Sequence, residues 1–192
     1  MCSAPLTLRS YDSRDDQAVW TLHEWAMRET GVDPSDVPGT DDLREIEASY
    51  PGVGGGFVIG VVGGVDPVEP QPEGVIDADT EQLKSLATHD GVLAIMGGYV
   101  PRQADRSDER DRLGVAELHR MRVAPPYQRR GYGEALLTEI ELQAASDGFT
   151  RLLATTSTRQ TAALGFYSAH GYEQRATSTA GDYKLVQFEK QL

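Results

Sequence analysis

The stretch that most restricts this chain runs from Val115 to Ser146. Val115-Ala116-Glu117-Leu118-His119-Arg120-Met121-Arg122-Val123 alternates apolar and polar side chains, the signature of a half-buried strand. Gly133 to Ser146 places Leu136, Leu137, Ile140 and Ala144 on one helical face, with Gly148 where such a helix stops. Between the two lies Ala124-Pro125-Pro126-Tyr127-Gln128-Arg129-Arg130-Gly131-Tyr132-Gly133. Two prolines end the strand, and two glycines permit backbone angles or close approaches that a side chain would block. Amides entering a helix point outward unpaired, with the positive end of the helix dipole behind them, and so bind phosphate groups. Arg129 and Arg130 add positive charge there. A plain turn with a solvated arginine pair is the competing reading.

Two other phosphate loops are excluded. A P-loop needs Gly-x-x-x-x-Gly-Lys-Ser/Thr, and the segment has no lysine. A dinucleotide fingerprint needs a third glycine where Leu136 stands.

The rest of the chain reads as alternating strands and helices. Leu6–Tyr11 is a predicted strand. Ser13 and Asp16 resemble an N-cap pair for a helix carrying Val19, Leu22 and Ala26, which Gly31 ends. Thr40 opens a second helix with Leu43, Ile46 and Tyr50 on one face, stopped by Pro51. Strands follow at Phe57–Val62, Val92–Met96, Arg151–Thr155 and Lys184–Phe188, with helices around Glu81–Ala87 and Thr161–His170. Asp66–Asp90 reads as an insertion, either an acceptor lid or a tolerated exposed loop. An α/β fold with a mixed sheet and helices on both faces follows.

With 192 residues the chain suffices for one domain, 1–192. Its net charge of −12, from 30 acidic against 18 basic residues, argues against nucleic acid as a partner. Scarce lysine (Lys84, Lys184 and Lys190) beside plentiful acid resembles proteins of salt-rich cytoplasm. The longest apolar run, Val53–Val65, is short of the ~20 residues of a membrane helix. The start, Met1 to Leu6, has no basic segment followed by an apolar one, so a cytoplasmic location is expected. Cys2 is the only cysteine, which speaks against a cysteine nucleophile or metal site.

Gln128-Arg129-Arg130-Gly131-Tyr132-Gly133 resembles, position by position, the Gln/Arg-x-x-Gly-x-Gly/Ala hallmark of the GNAT superfamily of N-acetyltransferases. Ala116-Glu117-Leu118 and Val123-x-Pro125 are similar to that family's approach to the loop. Ala163-Leu164-Gly165-Phe166-Tyr167-Ser168-Ala169-His170-Gly171-Tyr172 is similar to its Ala-x-x-x-Tyr-x-x-x-Gly-Phe helix and strand start. The resemblance spans roughly residues 90–190. It implies a GNAT-like, mostly antiparallel sheet in which parallel strands four and five splay apart. Acetyl-CoA would be the acyl donor, with its pantetheine against the backbone of Met121 and Val123. Its pyrophosphate would take the amides of Arg129 to Gly133. Gln160 stands where many members carry an asparagine that contacts the cofactor.

The implied reaction is direct attack of a primary amine, on a small molecule or a protein, within a ternary complex. Tyr167 would protonate the departing thiolate. Glu117 is the candidate base, directly or through water, and needs a raised pKa or a relay. His119 shares its strand face and is the other candidate. Trp20, Trp25 and Tyr50 are candidate walls of the acceptor pocket. A homodimer is compatible with the family, and no metal is called for. The alternative is an acyl-CoA-binding module without turnover, against which Glu117 and Tyr167 together argue.

Overall fold

The computed structural model describes residues 5–29, 40–63, 78–102, 114–181 and 183–192. Seven strands form one sheet in the order β1-β2-β3-β4-β5-β7-β6. They are β1 (Leu6–Ser10), β2 (Gly56–Val62), β3 (Val92–Pro101), β4 (Val115–Val123), β5 (Arg151–Ser157), β6 (Glu173–Ala180) and β7 (Tyr183–Gln191). Among the described residues only β4 and β5 pair in parallel. Every other neighbour is antiparallel. The helices are α1 (Asp16–Glu29), α2 (Ile46–Ser49), α3 (Ala78–Lys84), α4 (Tyr132–Ser146) and α5 (Thr161–Ala169).

One face of the sheet carries α1 and α2, where Val19, Leu22, Leu43, Ile46 and Tyr50 pack against Phe57 and Ile59. The other carries α4 and α5, where the predicted apolar face Leu136, Leu137, Ile140 and Ala144 is wholly buried. Each such leucine or isoleucine contributes about 1.5–3 kcal/mol by leaving water. In β3, Gly97 and Gly98 let both layers close on the sheet. A Cβ on Gly97 would lie 2.7 Å from Met121 Sδ, and one on Gly98 would lie 2.7 Å from the Tyr50 ring.

Several sequence expectations shift. The cap before α1 is Asp12, not Ser13: it accepts from Arg14 N–H while Asp15 accepts from the Asp12 amide, a reciprocal box. Thr40 opens a short 3₁₀ turn over Thr40–Leu43 rather than a continuous helix. Pro51 begins a further 3₁₀ turn instead of merely stopping α2. β3 runs five residues beyond the expected Met96, to Pro101. β6 escapes periodicity because Glu173–Ala180 is almost wholly polar and exposed on the sheet edge. Gly31, Cys2 and residues 66–77 of the 66–90 insertion lie outside the described residues. No helix among the described residues is long and apolar enough to cross a membrane.

Candidate active site

The site originates in a failure of two strands to stay paired. β4 and β5 match from Val115↔Arg151 to Leu118↔Ala154 and no further, although both strands continue. β5 stays with β7 as far as Ser157↔Leu185. β4 bends away because its register on β3 slips: His119 faces Gly98 but Arg122 faces Met96, so Arg120 and Met121 oppose Gly97 alone. Such a bulge bends its strand and changes which way side chains point. Arg120 adopts φ 56° there, a left-handed conformation that costs roughly 1–2 kcal/mol for a side-chain-bearing residue. Its guanidinium is held by both oxygens of Asp42 at 2.9 Å, and Tyr50 donates to the same carboxylate at 2.6 Å. The diverging strands leave a cleft of about 880 Å³.

The loop after β4 opens into this cleft. Pro125–Tyr127 forms a 3₁₀ turn, closed by Tyr127 N–H to Ala124 O at 2.8 Å and Gln128 N–H to Pro125 O at 3.2 Å. Arg129 (φ 57°) and Gly131 (φ 81°) are then left-handed. The first amide of α4 to find an acceptor is Ala135, on Gly131 O at 3.0 Å. Those from Arg129 to Glu134 donate to no acceptor among the described residues. Alternating left- and right-handed residues turn such amides inward as a concave anion cradle. The loop thus fits a diphosphate. Arg129, Gly131 and Gly133 line the cleft. The side chains of Arg130 and Tyr132 instead turn to Tyr127, Arg130 5.5 Å above its ring and Tyr132 stacked at 6.1 Å. Those two offer the cleft main-chain groups only.

Met121 and Val123 line the splayed edge of β4. The Met121 carbonyl accepts from Arg122 Nη1 at 2.8 Å, and the Val123 carbonyl from Gln128 Nε2 at 3.4 Å. Across the cleft, Gln160 precedes α5 and accepts from the buried Thr156 hydroxyl at 2.6 Å, leaving its amide nitrogen for other partners. Tyr167 lies about two helical turns further, 7% exposed, with its ring among Phe166, Tyr172 and Phe188. Burial pushes its phenol up to about 12, against the opposing charge of Arg122. The hydroxyl therefore keeps its proton at neutral pH.

A polar row runs along the β4 face that looks toward α1. Arg102 Nε lies 3.6 Å from Glu117 Oε1, and His119 Nε2 lies 3.7 Å from Glu117 Oε2. The His119 ring meets Tyr50 edge-on at 6.3 Å. His119, foremost, and the Arg102 charge hold the Glu117 carboxyl below its usual range. The raised pKa required of a direct base is absent, so Glu117 alone is a poor acceptor for an ammonium proton. Arg122 continues the row after the bulge and reaches Met27 Sδ on α1 at 3.4 Å. Behind it His23 is fully buried with neither ring nitrogen bonded, and burial, with Arg122 and Arg120, pushes it down to about 4.

Sequence periodicity missed Arg122. Strict alternation puts Met121 on the Glu117 face, whereas the bulge reverses the parity and brings Arg122 there. Arg159, also unpredicted, lines the cleft near α5 with its guanidinium 4.9 Å above the Tyr183 ring. Trp20, Trp25 and Tyr50 do not line the cleft. Trp25 and Tyr50 are core residues, and Trp20 lies under Arg44 at 4.5 Å. Among the described residues no group of three or more His, Cys, Asp or Glu side chains could hold a metal ion.

Comparison with known proteins agrees with this architecture. The GNAT acetyltransferase from Staphylococcus aureus superposes with a TM-score of 0.69 at 14% identity, covering 97% of this chain and 99% of that one. The YncA protein of Salmonella typhimurium, solved with its cofactor acetyl-CoA, gives 0.65 at 16% identity, covering 97% and 93%. PaiA N-acetyltransferase of Thermoplasma acidophilum, in complex with coenzyme A, gives 0.62 at 14%, covering 98% and 99%. At such identities these likenesses speak to the fold. No curated protein sequence matches the chain. The sequence model of the Acetyltransferase (GNAT) family matches residues 40–172, which include β4, the loop and α5. With the splayed strands, the unpaired amides and a family match over most of its length, the chain belongs to the GNAT acetyltransferase family.

Proposed function

We propose that this single-domain protein transfers an acetyl group from acetyl-CoA to the nitrogen of a primary amine, by direct attack in a ternary complex. One observation carries the reading: a single cleft joins the unpaired amides of the Arg129–Glu134 segment to Glu117, His119 and Tyr167. The amides, with Arg129 and Gln128, take the pyrophosphate. The β4 edge beyond Leu118 is unpaired on the β5 side, and Met121 and Val123 there add the pantetheine as an extra strand would be added. Gln160 offers its amide nitrogen from the other wall. A β4 amide polarises the thioester carbonyl in the manner of an oxyanion hole.

In the balanced reaction the amine nitrogen forms a bond to the acetyl carbon, the carbon–sulfur bond breaks, and the proton lost by nitrogen ends on sulfur. No enzyme thiol takes part. Glu117 and His119 act as a pair, His119 taking the proton directly or through water and Glu117 orienting the ring. Tyr167 donates to the sulfur as negative charge gathers on it.

Tyr167→Phe tests the reading. It removes the donor while keeping the ring, so kcat falls about 100-fold while coenzyme A affinity, read by calorimetry, changes little. Unchanged turnover removes Tyr167 from the mechanism. Coenzyme A binding with no thiol release against a broad amine panel would instead make this a binding module.

A further inference from the structure

Arg122 is among the charged groups that line the cleft and that the reading above leaves unused. Arg122 is not a loose surface arginine: Nη1 is fastened to Met121 O at 2.8 Å and Nη2 to Met27 Sδ at 3.4 Å. Its Nε is buried and bonded to nothing, and no carboxylate pairs with Arg122 among the described residues. The carboxylate whose field reaches it, Asp42, already accepts two bonds from Arg120 and one from Tyr50. A cation in that position is costly without an anion beside it.

We infer that the acceptor is an amino-carboxylate, whose carboxylate binds the Arg122 guanidinium while its amine meets Glu117, His119 and the thioester. The inference rests on the acetyl-transfer reading and names its substrate class. Arg122 shares the β4 face of Glu117 and His119 after the bulge and lines the same cleft as they and Tyr167 do. The planar guanidinium, anchored at two nitrogens, presents fixed donors that match a carboxylate. The same site disfavours polyamines and aminoglycosides. Such acceptors would set an ammonium group beside a guanidinium that no carboxylate pairs with among the described residues, whatever attraction the −12 surface exerts at long range.

The test compares L-amino acids with their C-terminal amides as acceptors, reading thiol release from acetyl-CoA for the wild type and Arg122→Gln. Calorimetric titration with coenzyme A runs alongside, and thermal melting checks that the variant folds. An amino amide loses its amine proton more easily than the amino acid, so amine basicity opposes the expected preference. The wild type should favour the carboxylate member of a pair by roughly 10- to 100-fold in kcat/KM, and Arg122→Gln should bring that ratio close to one. Arg122→Lys should restore part of it. Transfer without carboxylate preference, no transfer to any amino acid, or an equal loss for both members in Arg122→Gln overturns the inference. The first of these leaves acetyl transfer standing. Failure of coenzyme A to bind in the titration overturns acetyl transfer as well.

Discussion

Gly131 has φ 81° and nothing within 4 Å of where a Cβ would stand. Space is therefore not what requires glycine there; the backbone angle is. Gly131→Ala should cost about 1 kcal/mol of stability through the left-handed conformation alone. By turning the neighbouring amides it should also weaken coenzyme A binding. Gly133 is the counter-case. It lies inside α4 at an ordinary φ, and a Cβ would meet the Phe166 ring at 3.4 Å, an easy contact. Gly133→Ala should change stability by less than about 0.5 kcal/mol. Denaturant unfolding and calorimetry on the two variants separate these cases, and equal losses would mean that φ does not govern the loop. Both glycines were legible in the sequence; their different reasons for being glycine were not. The same holds for Arg129, whose φ of 57° no residue preference announces.

At the scale of elements, β1 and the start of β3 are held to the Asp12 cap by one arginine. Arg9 donates to both oxygens of the fully buried Asp15 at 2.7 and 2.9 Å and to both of Asp90 at 2.7 and 2.9 Å. Arg9, foremost, and the Thr88 hydroxyl hold the Asp90 carboxyl down from 3.8 to about 2. A depressed carboxyl stabilises the fold above its unfolded value, and loses that contribution as pH falls through the folded one. The stability gap between wild type and Asp90→Asn should thus be constant above about pH 5 and close as pH drops toward about 2. Unfolding titrations across that range check it, and a gap that persists at the acid end would point to a cause other than this carboxylate. The sequence marked α4 clearly through its regular apolar face, and β4 through its alternation as far as the bulge. It passed over β6, an edge strand that buries almost nothing, and the bulge in β4, which depends on Gly97 across the sheet and on Asp42 from another layer.

For the molecule as a whole, a charge of −12 means mutual repulsion among surface carboxylates that the folded state must bear. Potassium chloride near 1 M shortens the screening length to about 3 Å, so the melting temperature should rise with added salt. A fall would show that exposed pairs such as Arg14–Asp12 outweigh the repulsion. By itself the sequence determined the class of fold, the family resemblance and the glycine-bearing loop between β4 and α4, because these depend on local periodicity and on turn chemistry among adjacent residues. The tertiary structure alone decided the cleft's charge. Which face Arg122 takes depends on a one-residue slip between β4 and β3, and whether it has a counter-ion depends on how Asp42 is shared, through contacts among residues far apart in the chain.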